Sequence, residues 1–153
     1  MELKFEISGR INKPVEEVFE AVANPDELSG YFTTGGAQGR LETGATVSWK
    51  FHDFPETIPV TVVEVEQNRR IILQWEADDT TGDPDGPYDT TVTMRFEPLE
   101  DGRTLVSIAE EGWRRNEAGL RSSYGNCSGW MQMLCAMKGY LEHGVNLREG
   151  MFR

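Results

Sequence analysis

Cysteine and histidine are scarce in this chain, two of each in 153 residues. Cys127 and Cys135 fall in a segment that reads as helix, where eight residues of rise hold their Cα atoms about 12 Å apart, too far for a disulfide. Both are expected as free thiols in a reducing compartment, packed as small hydrophobes. Together with His52 and His143 they show none of the short spacings of structural zinc, so no metal site is expected. Basic residues are also in the minority. Fifteen Lys and Arg against 26 Asp and Glu leave a formal charge of -11, the wrong sign for neutralising phosphates, so nucleic acid and anionic membrane surfaces are not expected as partners. Long apolar runs are lacking too. No stretch approaches the roughly 18 residues of a membrane span, and Met1-Glu2-Leu3-Lys4-Phe5-Glu6 has neither the basic nor the apolar part of a signal peptide. A cytoplasmic protein without membrane insertion is the expectation. With 38% apolar and 27% charged residues, a single domain over residues 1–153 follows.

Acidic residues cluster at Asp78, Asp79, Asp83, Asp85 and Asp89. Laid on a twelve-residue calcium loop with Gly86 sixth, they put Thr81 first and Val92 twelfth, so the first Asp and the last Glu of such a loop are missing. A solvated hairpin loop with Pro84 and Pro87 is expected instead.

What is present is periodic. Leu3, Phe5, Ile7 and Ile11 alternate with polar residues, predicting a half-buried strand over 2–11 with Gly9 as a bulge. Val15, Val18, Phe19 and Val22 then recur at helical spacing behind Pro14. Asn24 with Glu27 reads as a capping box for a second short helix ending near Gly30. Strands follow around Val47–Phe51, over 58–66 and over Ile71–Trp75 after the turn Gln67–Arg70. Two more, around Val92–Phe96 and Thr104–Gly112, are joined by Glu100-Asp101-Gly102 and expected to pair antiparallel. After a polar loop from Arg114 to Arg121, the residues Cys127, Trp130, Met133, Leu134, Met137 and Leu141 share one face of a helix of five or six turns, closing near Gly144. Gly129 and Gly139 lower its intrinsic stability by about 1 kcal/mol each relative to Ala, so packing must support it. Six or so strands must bury an apolar face, and only this helix is long enough to cover it. The expected fold class is α+β, a curved antiparallel sheet wrapped around a long C-terminal helix, with two short helices after the first strand.

The segments "INKPVEEVFEAVANPDELSGYF", "VVEVEQNRRIILQWE", "GRTLVSIAEEGW" and "GWMQMLCAMKGYLEHG" stand in this order, and the similarity they carry runs from Lys4 to Gly144. Together they resemble the single-domain homologues of the activator of the 90-kDa heat-shock protein ATPase. That family belongs to the START-like superfamily, whose helix-grip fold also serves pollen allergens, lipid-transfer domains and polyketide cyclases. The resemblance implies a cavity between sheet and helix and a small apolar or amphipathic ligand within it. One architecture of this kind supports several activities, and no essential cofactor is expected. The activators carry a further N-terminal domain that makes much of their chaperone contact. Because the first strand here begins at residue 2, chaperone contact is not the expected main role.

Aromatic and thioether side chains mark the expected ligand site: Tyr31, Phe32, Trp49, Phe51, Trp75, Met94, Trp113, Trp130, Met133 and Met137. Met131, in the same methionine set, is expected in the core. Glu110 shares a strand face with Val106 and Ile108. Either it lies at the cavity, where loss of water raises its pKa and makes it a ligand anchor or general acid, or it lies at the strand's end in water beside Glu111. His52 and Arg95 are expected on the solvent side. The three arginines of the 114–121 loop either gate the cavity or offset nearby glutamates. No catalytic motif accompanies them. A small-molecule binding protein is the leading expectation, with a cyclase or dehydratase using Glu110 or His52, and a chaperone-interacting protein, as alternatives.

Overall fold

The computed structural model describes residues 1–78, 80 and 83–153. Alternation builds β1 (Lys4–Ile11), and Pro14, with its fixed φ, leads into α1 (Val15–Ala23), which buries Val18, Phe19 and Val22. Asn24 caps α2 (Pro25–Leu28) by accepting a bond from the Asp26 N–H at 2.9 Å. The expected capping box is only half formed, because Glu27 turns away and accepts the Tyr140 hydroxyl at 3.0 Å. Six strands follow: β2 (Gly36–Gln38), β3 (Thr46–Lys50), β4 (Thr57–Glu66), β5 (Arg70–Glu76), β6 (Asp89–Pro98) and β7 (Thr104–Glu111). They form an antiparallel meander, and β1 joins it beside β7, giving a curved seven-stranded sheet in the order β1-β7-β6-β5-β4-β3-β2. The helix-grip fold is thus present.

Gly9 does not make the expected bulge, since β1 pairs with β7 in unbroken register from Lys4 to Ile11. Its role is space: a Cβ there would stand 3.0 Å from Leu134 Cδ2 of the covering helix. The bulge falls instead between Val62 and Glu64 of β4. β2 was not foreseen, because Gly36-Ala37-Gln38 carries no β-branched or aromatic residue and exists only by pairing with β3. Beyond β5 the antiparallel ladder continues to Ala77 and Tyr88, so the acidic segment is a hairpin loop, tied down by Arg114 through Asp83 at 2.8 Å and the Gly86 carbonyl. Asp79 and Thr81, which entered the calcium-loop comparison, lie outside the described residues.

The covering helix α3 (Glu117–His143) is 27 residues long, about two turns more than its apolar stripe suggests. It starts inside the expected polar loop because Asn116 caps it, its Oδ1 accepting the Gly119 N–H at 2.8 Å. Gly144, at φ 69°, ends it in the left-handed conformation. Trp130, Met133, Leu134 and Met137 form the buried stripe. Met131 lies about 100° and Cys135 about 140° around the helix from Trp130, and both are exposed rather than buried as expected. Cys127, at the stripe's edge, is half-buried.

Candidate functional site

Inward alternation on β7 carries Val106, Ile108 and then Glu110 into the interior, so the face that builds the core also buries a carboxylate. The water-exposed reading of Glu110 is therefore overturned: 1% of the residue reaches solvent. Four side chains meet that charge. Trp130 Nε1 donates to Oε1 at 2.8 Å, Trp75 Nε1 and Thr90 Oγ1 donate to Oε2 at 2.9 and 2.6 Å, and Asn126 Nδ2 lies 3.1 Å from both oxygens. Burial pushes the Glu110 pKa up, and the four donors pull against that shift without cancelling it. Chemically the carboxylate is a clamp. It fixes two indoles, one from the sheet and one from the helix, with ring centres 5.3 Å apart.

The outer surfaces of those indoles line a pocket. Phe32 packs on Trp130 with centroids 5.6 Å apart and meets Phe51 edge-on at 5.0 Å. Phe54, Ile58 and Phe152 extend this apolar wall, and the helix contributes Gly125, Asn126, Ser128 and Gly129. The pocket opens to solvent and has a volume of about 310 Å3, at the lower end of what small-molecule sites offer. Gly125 and Gly129 stand one helical turn apart, and a Cβ on either would meet nothing within 4 Å. The helix therefore forgoes about 1 kcal/mol of stability at each position relative to Ala, and no close packing explains it. Their missing side chains leave the space open.

Polar groups gather at the rim. Beyond α3 the chain folds back so that Arg148 pairs with Asp53, Nη2 donating at 2.8 Å, while Nη1 donates to Gln132 at 3.3 Å. The guanidinium also lies over Phe51, Phe152 and Phe32, at 4.6, 5.0 and 5.6 Å from their centres. Glu149 of the same segment meets His52 Nδ1 at 2.9 Å. On the opposite rim, Asp78 accepts the Ser122 hydroxyl, and that hydroxyl accepts the Trp113 indole N–H at 3.0 Å.

Of the residues expected at the ligand site, Phe32, Phe51, Trp75 and Trp130 line this pocket. Glu110 lies behind the two indoles and Asn126. Trp49 is fully buried against Phe32 and Trp75; its indole N–H is without a partner among the described residues. Tyr31 packs on Tyr140 and donates its hydroxyl to the Ala21 carbonyl at 2.9 Å, away from the pocket. Met94, Met133 and Met137 are sealed in close packing, and Trp113 stacks on Phe5 of β1 at 5.7 Å. The space lies toward the N-terminal half of α3 and reaches Trp75, while Trp49 and Met94, also expected at its wall, are packed into the core. Arg95 is exposed and His52 faces Glu149 near water, so neither reaches Glu110. Of the loop arginines, Arg114 serves the hairpin loop by pairing with Asp83 and stacking on Tyr88.

Several pocket residues escaped the sequence reading. Asn126 was findable, since it stands one turn before Trp130 on the same helix face. Asp53, Arg148 and Phe152 carried no local signal. They meet only because the chain beyond Gly144 returns across the mouth.

Comparison with known proteins agrees with this architecture. A protein from Staphylococcus saprophyticus, SSP2350, is similar at a TM-score of 0.76 and 27% identity, over 95% of this chain and 96% of that one. The Aha1 dimer of Colwellia psychrerythraea shares the fold at a TM-score of 0.71 and 19% identity, over 92% and 97% of the two chains. DynU16, a putative protein in the dynemicin biosynthetic locus, gives a TM-score of 0.79 at 19% identity, over 97% of this chain and 50% of that one. No curated protein matches. Among the described residues no helix is long and apolar enough to cross a membrane. Residues 12–142 match the family described as activator of Hsp90 ATPase homolog 1-like protein, and the chain belongs to that family.

Proposed function

We propose that the chain binds a small apolar or amphipathic molecule in the pocket between α3 and the β3–β5 side of the sheet, without a cofactor. The observation that carries this reading is the unfilled volume of about 310 Å3 walled by Phe32, Phe51, Trp75 and Trp130. It persists beside two helical glycines that nothing packs against. A domain that needed only to fold would gain from alanine at both. Glu110 supports binding rather than acid catalysis, because both its oxygens already accept bonds from the groups that shape the wall. The same reading places the protein in the cytoplasm, where Cys127 and Cys135 remain thiols.

A ligand that prefers the folded state raises the melting temperature progressively with its concentration. Intrinsic tryptophan fluorescence reports it as well, since Trp75 and Trp130 form the wall. The expected result from a panel of fatty acids, flavonoids and polyketide-like aromatics is at least one concentration-dependent rise in melting temperature with a saturable fluorescence change. Leucine at position 129 should abolish both while the protein stays folded. A flat response across the panel contradicts the proposal.

A further inference from the structure

We infer that the pocket selects an apolar molecule bearing an organic cation, an amine or guanidinium, over the corresponding carboxylate. The inference rests on the binding reading above and adds the charge of the ligand.

Two features of the wall carry it. The first is that part of the wall already holds a cation. The Arg148 guanidinium sits over the faces of Phe51, Phe152 and Phe32 and is closed by the Asp53 carboxylate at 2.8 Å. Aromatic faces with a carboxylate at their edge are an arrangement that attracts organic cations, through the ring quadrupole and the opposite charge together. The chain's own side chain shows the geometry to be suitable.

The second feature is the charge count. Among the described lining residues Arg148 is the one basic group, and Asp53, Glu76 and Asp78 are acidic. Since Asp53 matches Arg148, and Glu76 alternates with the inward Trp75 so that its side chain lies on the outer face of β5, the surplus at the rim is the Asp78 carboxylate. Asp78 is held in place by Ser122, which Trp113 in turn engages. Glu110 lies behind the indoles, and the whole chain carries a formal charge of -11. A carboxylate ligand would meet repulsion from near and far. An ammonium group on a flat apolar body would find aromatic faces for the body and the Asp78 carboxylate at the rim for the charge.

The test uses one ring system with three charges: 1-naphthylmethylamine, 1-naphthalenemethanol and 1-naphthoate, titrated calorimetrically into the full chain. The amine should bind about tenfold or more tighter than the carboxylate, with the alcohol between. Raising salt to about 0.5 M should narrow the gap. Asp78→Asn should nearly close it, whereas Glu76→Gln, on the outer face of β5, should leave it almost unchanged. An unchanged far-UV circular dichroism spectrum and melting temperature would show the variants still folded. If the alcohol binds and the amine gains nothing over the carboxylate, the inference is overturned while the pocket reading stands. If none of the three binds, both fall.

Discussion

The two halves of α3 cover the same sheet in opposite ways. Toward its C-terminal end, Met133, Leu134 and Met137 are sealed in the core, and Leu134 presses so closely on β1 that a Cβ at Gly9 would require it to shift. Tyr140 there stacks on Tyr31 and bonds Glu27, and Lys138 donates to the Arg10 carbonyl at 3.0 Å. Toward the N-terminal end, Gly125 and Gly129 face open space, and two tryptophans are held by a buried carboxylate rather than by packing alone. One helix thus has a structural half and a half that keeps a vacancy. The glycines make the contrast plain. A Cβ at Gly139 would stand 2.9 Å from Leu147 Cδ1, whereas one at Gly129 would meet nothing within 4 Å.

Truncating each half sharpens the difference most strongly. Trp130→Ala should cost about 3–5 kcal/mol and abolish ligand binding, because the indole is both core and wall. Met137→Ala should cost about 2–5 kcal/mol and leave binding by the folded fraction unchanged. Urea denaturation with ligand titration separates the two effects. Equal loss of binding in both variants would break the comparison.

A smaller effect attaches to Glu110. Glu110→Gln keeps the shape but turns an amide N–H2 toward indole donors, and should cost about 1–3 kcal/mol. The pH dependence has a definite sign. The folded state raises the Glu110 pKa above its usual 4.5, so the folded chain binds the proton more tightly than the unfolded one. Its contribution is then fully present below the unfolded pKa and declines as pH rises through the folded one. The stability gap between wild type and variant should be widest in acid and shrink toward neutral pH. A gap that widens toward neutral pH would show the carboxylate to be stabilised in its charged form.

Smaller still are the glycine substitutions. Gly129→Ala should raise stability by about 1 kcal/mol, since the helix gains and nothing is displaced. Gly139→Ala should return less, because Leu147 and Val145 must move. Thermal unfolding of the two variants compares them directly, and a larger gain at 139 would remove the packing distinction between the halves.

Much of the architecture was legible because it rests on periodicity. Strand alternation and the stripe from Trp130 to Leu141 are local signals that tertiary contacts reinforce. The start of α3 was not legible in this way, since the cap at Asn116 defines it while its first turns are polar. Nor was β2, which three unremarkable residues form only by pairing with β3. For the site, the aromatic residues on both walls could be named, and Glu110 could be placed on the inward face of its strand. Its burial could not be decided, because the four donors that make it tolerable come from β5, β6 and two positions on α3. Of Trp49, Trp75 and Met94, expected together at the vacancy, Trp75 alone lines it. Which side chains fill a volume depends on their directions and on the return of the chain past Gly144, and neither is a property of a sequence window.

The central claim is that the open half of α3, and not the sealed half, receives a ligand. Chemical-shift mapping with 1-naphthalenemethanol on uniformly 15N-labelled protein tests it most directly. The account predicts saturable shifts concentrated at the Gly125 and Gly129 amides and the Trp75 and Trp130 indole N–H signals, with the amides of Met133 and Met137 nearly unmoved. Shifts centred on Met133, Met137 and Tyr140, or no saturable shift at the two glycines, would contradict it.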